Sequence, residues 1–204
     1  MSRRLLSIVT ILLAGCHLIG SHDTAKTAFD FGVPQTREIE AGLKALPVDI
    51  VVTNIVAPGW MDNSSMYYRL TYRNTANPLP YANSQWVMSP AALLTQRLRW
   101  TLGGSNEGSS GSGPSTRALY VLRSELIEFE QIFDRPDQSH GVLRLRATLE
   151  QQRDGGRAQR TFTIEKPAPT PDAAGGVKAL SRCADELSDS VTEWVAGELS
   201  GGGP

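Results

Sequence analysis

The sequence contains few of the residues that usually build metal centres and nucleophilic sites, with two cysteines and three histidines among 204 residues. His17 and His22 lie close to the N-terminus, and His140 lies in a segment predicted to be a loop. No two of them have the spacing of metal ligands on a helix. We therefore expect no metal and no cofactor. A hydrolase that uses His140 stays open as an alternative, since a catalytic triad needs a histidine base.

Long apolar runs and an excess of one charge are also missing. The apolar run Leu5–Leu13 has about nine residues, whereas a helix that crosses a bilayer needs about 20. Lysines and arginines number 20 against 21 aspartates and glutamates. No basic stripe is present, so we expect no nucleic-acid partner. The glycine-rich stretch 103–113 lacks the Lys-Ser/Thr ending of a phosphate-binding loop and is typical of a flexible linker.

The N-terminus has the order of a secretory signal peptide, with Arg3 and Arg4 before the apolar run and a small-residue ending. That ending, Leu-Ala-Gly followed by Cys16, resembles the bacterial lipobox. The resemblance implies a signal peptide at residues 1–15 and a Cys16 that carries acyl chains, palmitate among them. Two or three chains anchor a protein stably. The alternative is that Cys16 is only an apolar residue of a leader.

His17 follows the cysteine where an aspartate would favour retention in the inner membrane, so similarity to proteobacterial lipoproteins implies the periplasmic face of the outer membrane. Residues 16–27 are predicted to be the lipidated N-terminus and its tether. Removal of residues 1–15 leaves 189 residues, enough for one domain, which we place at 28–200. Cys183 is then the only other thiol, and we expect it to be buried, although an intermolecular disulfide stays open.

Hydrophobic periodicity predicts an α+β fold: a single domain with a mostly antiparallel sheet and two helices packed on one face. Ser89 and Pro90 predict the start of the first helix, which Gly103 ends. The second helix is predicted at 172–199 from apolar residues that recur at steps of three and four. The predicted strands cover 28–31, 48–56, 66–73, 118–133, 142–151 and 160–165.

Two groups of charged residues are candidate sites on the predicted strands. Arg144 and Arg146 alternate with apolar residues, so they line the polar face of strand 142–151. That face is either solvated or a site for phospholipid headgroups. Glu128 and Glu130 share a face of the preceding strand, and they either perform acid/base chemistry or form a solvated strand edge.

Residues 81–102 combine a short strand, Trp86, Pro90 and a leucine-rich helix, and they resemble the ABC-type transport auxiliary lipoproteins, the PqiC/YmbA-like family. Three further segments fit in order: the opening Phe29–Gly32, the hairpin of 126–130 with 142–151, and the helix 177–195. The chain departs from the family at Val87–Ser89, where an acidic residue is often found. Its Gly/Ser insert is also longer than usual.

The resemblance implies a non-catalytic accessory component of an MCE/ABC-type phospholipid transport system. Its partners would be an MCE-domain protein and an inner-membrane ABC transporter, and copies of the chain can form a ring. Trp86 and Pro90 are candidates for partner contact or for core packing. Two functions without an MCE partner stay open, a lipid-binding envelope lipoprotein and an outer-membrane assembly factor.

Overall fold

The computed structural model describes residues 25–33, 50–102, 120–153 and 155–201. Nine elements follow one another in these ranges. They are β1 (Thr27–Phe29), β2 (Ile50–Val52), β3 (Ser65–Leu70), β4 (Pro78–Trp86), α1 (Pro90–Leu102), β5 (Tyr120–Arg135), β6 (Gln138–Gln151), β7 (Arg157–Pro167) and α2 (Ala173–Ser200). The predicted α+β class is confirmed.

Both helices begin at a capping residue. Pro90 is the first residue of α1, where its missing N–H costs no hydrogen bond, and the Ser89 hydroxyl accepts a bond from the Ala92 N–H at 3.4 Å. Asp172 caps α2 by accepting a 2.7 Å bond from the Gly175 N–H. This bond holds the pKa of the Asp172 carboxyl below its usual range. The predicted helix bounds are therefore confirmed to within a residue or two.

The sheet is mixed, in the order β1-β4-β3-β5-β6-β7, and β2 pairs with the start of β5 beside that path. The long ladders β5–β6 and β6–β7 are antiparallel, as is β3–β4. The pairings β1–β4, β2–β5 and β3–β5 are parallel, and each spans three residue pairs. In the chain α1 lies between β4 and β5, and β5 pairs with β3 and not with β4.

One face of the sheet carries the core and both helices. Leu143, Leu145 and Leu149 of β6 are buried on that face, as their alternation predicts. They join one apolar cluster with the buried stripes of α1 and α2. The other side of the sheet, here called the outer face, carries the charged side chains of β5 and β6.

The N-terminal half of α2 packs unusually close to the sheet, and glycines make this approach possible. A Cβ on Gly141 of β6 would lie 3.0 Å from the Leu180 backbone nitrogen, and one on Gly176 of α2 would lie 2.0 Å from the Gln131 Oε1. The hydrogen atoms of these glycines therefore set the distance between helix and sheet. No helix in the described part of the chain is long and apolar enough to span a membrane.

Candidate functional site

Trp86, a candidate for partner contact or packing, lies at the end of β4 with 1% of its surface exposed. Its indole meets the rings of Phe31 and Phe129 edge-on, at centroid distances of 5.5 and 5.6 Å. Phe31 and Phe129 also contact each other at 5.7 Å. These three rings join β1, β4 and β5 in the core. Pro90, the neighbouring candidate, is buried at the start of α1.

Arg144 and Arg146 lie on the outer face, as predicted, and each pairs with a glutamate of β5. Arg146 bonds Glu125 at 3.0 Å, and Arg144 lies 3.5 Å from Glu128. Exposed pairs of this kind contribute only about 0–1 kcal/mol each to stability. Their main consequence is electrostatic, because the glutamates compensate the positive charge that a phospholipid headgroup would need.

Glu130 differs from its neighbour Glu128, and the prediction of a solvated strand edge is wrong for it. Its side chain is 2% exposed, and the Arg69 guanidinium bonds its Oε1 at 2.7 and 3.0 Å. Its Oε2 is buried and has no hydrogen-bond partner within the described residues. Burial raises the pKa of the Glu130 carboxyl, and Arg69 opposes that shift. This residue is a buried member of an ion pair, placed there by the pairing of β3 with β5.

His140, the one histidine that a hydrolase mechanism could use, forms a pair with Asp134 at 2.9 Å. The adjacent Ser139 points to the helix side of the sheet, where its hydroxyl accepts a 2.8 Å bond from Gln131. Successive strand residues point to opposite faces, so the serine and the histidine do not meet. The described residues contain no group of three His, Cys, Asp or Glu that could hold a metal ion.

Cys183 lies in α2 with its thiol against the Gly141 and Ile164 carbonyls, at 3.5 and 3.7 Å. It is fully buried, and burial raises its pKa to about 12. The predicted burial of this thiol is confirmed. Cys16, the predicted lipidation site, lies outside the described residues.

An open groove lies beside β1, between the two helices, and sequence reasoning did not find it. It consists of two adjoining cavities that share residues 30–32 and Val87, and we call the pair the β1 groove. One cavity, of about 670 Å³, extends along α2 from Val177 to Asp185. The other, of about 460 Å³, extends along α1 to Trp100.

Arg97 of α1 holds the floor of the β1 groove together, although no pattern in the sequence indicated it. Its guanidinium bonds Asp185 of α2 and donates to the carbonyls of Phe31 and Gly32 at 3.4 and 3.1 Å. The same guanidinium lies 5.9 Å from the centre of the Phe31 ring. Because its partners are 65 to 88 residues away in the chain, only the folded structure brings this arginine to them.

By its fold, the protein is a single α+β domain. Its described residues combine a charge-compensated outer face with an open groove between the two helices. The family follows from comparison. The model of the ABC-type transport auxiliary lipoprotein component family matches residues 29–192. The chain belongs to this family, as the resemblance at residues 81–102 indicated.

Solved structures share the fold at low sequence identity. A crystal structure from Xanthomonas campestris is 19% identical, with a TM-score of 0.62 over 87% of this chain and 95% of that one. An uncharacterised protein is 16% identical, with a TM-score of 0.60 over 84% of this chain and 99% of that one. No curated protein matches the chain.

Proposed function

We propose that this protein is an outer-membrane-anchored periplasmic lipoprotein that acts as a non-catalytic accessory component of an MCE/ABC-type phospholipid transport system. The observation that carries the proposal is the family match over residues 29–192, because it includes nearly all of the described domain. Members of this family are lipoprotein components that assist ABC-type transport. To this family role the proposal adds an MCE partner, a phospholipid cargo and anchoring in the outer membrane.

The anchor in this proposal is Cys16, acylated after removal of residues 1–15. From Cys16 to Thr27, where β1 begins, the chain has 11 residue steps. A fully extended chain spans about 3.3–3.6 Å per residue, so the start of β1 lies within roughly 40 Å of the membrane surface. From this position the lipoprotein can contact partners at the membrane, including an MCE-domain protein. The ABC transporter of the proposed system lies in the inner membrane. Further copies of the chain, arranged as a ring, are part of the same proposal.

A non-catalytic role fits the polar groups that the structure describes. The histidine that a hydrolase would use pairs with Asp134 and lies on the opposite face from its serine neighbour. The carboxylate Glu130 is bound to Arg69, and Glu128 lies beside Arg144. Each of these charged groups pairs with a side chain of a neighbouring strand, and the histidine and the serine lie on opposite faces, which favours an interaction component over an enzyme.

The first test concerns the anchor. Cys16→Ser is expected to stop processing and to move the protein out of the membrane fraction, because no acyl chain is then attached. Cys183→Ala is the matched control, since it removes the other cysteine and leaves the anchor intact. A Cys16→Ser protein that still fractionates with membranes would refute the lipid anchor.

The second test concerns the partner. Gentle crosslinking of whole cells, followed by detergent extraction and affinity purification of the full chain, is expected to recover an MCE-domain protein. The Cys16→Ser variant serves as the control, because it is expected to lose the partner when it leaves the membrane. Recovery of the chain alone from wild-type cells would contradict the proposed transport role.

A further inference from the structure

The β1 groove has a positively charged side. Lys178 and Arg182 of α2 are four residues apart, so they lie on the same helix face and border the larger cavity. Both are exposed. Within residues 25–33, 50–102, 120–153 and 155–201, no carboxylate lies within ion-pair distance of either cation. This contrasts with Arg144 and Arg146 of the outer face, which glutamates compensate.

Two carboxylates also border the larger cavity, and their positions leave a positive balance. Asp185 is bound by the Arg97 guanidinium, so its charge is compensated within the floor of the groove. Asp30 accepts a 2.8 Å bond from the Gly32 N–H and forms no ion pair within the described residues. Lys178 and Arg182 therefore outnumber Asp30 at the lining of this cavity, and Asp172 at the start of α2 offsets part of the Lys178 charge. Charge complementarity favours an anionic group at this end.

The smaller cavity is lined mainly by apolar side chains, with Asp30, Gln96 and Arg97 beside them, so the β1 groove is amphipathic along its length. Val87 and Trp100 are 52% and 56% exposed there, and Met88 and Leu93 complete the apolar wall. Trp100 combines a large apolar surface with an N–H donor, a combination suited to the boundary between acyl chains and water. The two cavities share Phe31 and Gly32, so one ligand can contact both.

A phospholipid has the chemistry that this arrangement complements, whereas a peptide does not fit as well. An extended peptide would have to add to β1, which offers three paired residues, and strand addition depends on a longer row of main-chain hydrogen bonds. We propose that the β1 groove binds one anionic phospholipid, with its headgroup at Lys178 and Arg182 and an acyl chain against Trp100. The inference rests on the proposed function for the lipid environment and adds to it a direct ligand site on this domain.

Photocrosslinking in living cells tests which molecule occupies the groove. A benzophenone amino acid is placed in the full chain at Ser181 on the charged side, at Gln96 on the apolar side, or at Thr161 on β7 as a control. Mass spectrometry of the purified protein is expected to show phospholipid adducts at the first two positions and few at Thr161. Equal adducts at all three positions would show general membrane proximity and overturn the proposal. A crosslink to a second copy, to another protein or within the chain, in place of lipid, would overturn it too.

Substitutions then test the two halves of the site. Lys178→Glu combined with Arg182→Glu is expected to lower the adduct yield at Ser181 by about tenfold or more, because the headgroup loses its charge-assisted hydrogen bonds. Arg153→Glu with Arg157→Glu is the matched control, because both arginines are exposed and lie at the turn between β6 and β7. Unchanged adduct yield in the Lys178/Arg182 variant would refute the headgroup site.

Trp100→Ala is expected to lower the adduct yield at Gln96 severalfold, whereas Trp60→Ala is expected to leave it unchanged. Trp60 is a fair control because it is also exposed, at 45%, packs against Tyr67 and is not among the residues that border either cavity. Equal losses in both variants would refute the acyl contact. Recovery of the MCE-domain protein is measured in the same strains to separate the two proposals. Lipid adducts without that partner would contradict the transport role alone. Recovery of the partner without lipid adducts would contradict the lipid site in the groove alone.

Discussion

Gly176 in the first turn of α2 allows a clear calculation of what close packing requires. A Cβ at this position would lie 2.0 Å from the Gln131 Oε1 and 2.9 Å from the Met66 Cε. The Gln131 amide cannot move freely, because its Oε1 accepts a 2.8 Å bond from the Tyr81 hydroxyl and its nitrogen donates a 2.8 Å bond to Ser139. Gly176→Ala therefore has to displace a fully buried, doubly bonded side chain.

The expected magnitude follows from three contributions. Overpacking of a filled core costs about 1–3 kcal/mol, and each displaced hydrogen bond costs about 1 kcal/mol. Alanine is favoured over glycine in a helix by roughly 0.8–1 kcal/mol, which offsets part of this cost. We therefore expect Gly176→Ala to lower the free energy of unfolding by about 2–4 kcal/mol.

Urea unfolding of the purified full chain, followed by tryptophan fluorescence, measures this difference. Gly197→Ala is the matched control in the same helix, because nothing lies within 4 Å of a Cβ at that position. It is expected to raise the free energy of unfolding by up to about 1 kcal/mol. In a Gln131→Ala background, the cost of Gly176→Ala is expected to fall sharply. A Gly176→Ala protein as stable as the wild type, or a cost unchanged without Gln131, would refute the reasoning.

Two other predictions concern buried side chains. Because burial raises the pKa of Glu130 above its ordinary value of 4.5, the folded state holds that proton to higher pH than the unfolded state, and stability falls as the pH rises through that window. Glu130→Gln should remove this fall. Urea unfolding from pH 4 to 7 should therefore show the free energy of unfolding of the variant rising relative to that of the wild type. A difference that does not depend on pH would contradict the assignment. Trp86→Ala should destabilise the fold by about 3–5 kcal/mol, whereas Val87→Ala, half exposed, should change stability by no more than about 0.5 kcal/mol in the same assay.

The parts of the fold that local patterns specify could be predicted closely. The apolar stripe of α2 predicted bounds of 172–199 against the observed Ala173–Ser200. The alternation in β6 predicted which side chains face the helices and which face outward. These features repeat every 3.6 or 2 residues, so a short stretch of sequence contains the whole signal.

Short and irregular strands were harder to predict. Of the predicted strand 48–56, the described residues 50–56 form a strand only at Ile50–Val52, followed by a single bridge between Val56 and Glu125. Periodicity did not indicate the extent of β4, because this strand begins Pro-Leu-Pro and lacks alternation. Strand β1 pairs only with the last three residues of β4, so Pro78 and Pro80 have no β1 partner. These two prolines are tolerated because no N–H is needed there for a bond to β1.

The sequence by itself determined the leader-like N-terminus, the two amphipathic helices and the two-sided character of the long strands, because each depends on neighbouring residues. Only the tertiary structure decided that Glu130 is buried while Glu128 stays near solvent, since that difference arises where β3 crosses beside β5. It also decided that Arg97 meets Asp185 and that a groove opens beside β1. Contacts between residues far apart in the chain depend on how whole elements pack, and no local repeat contains that information.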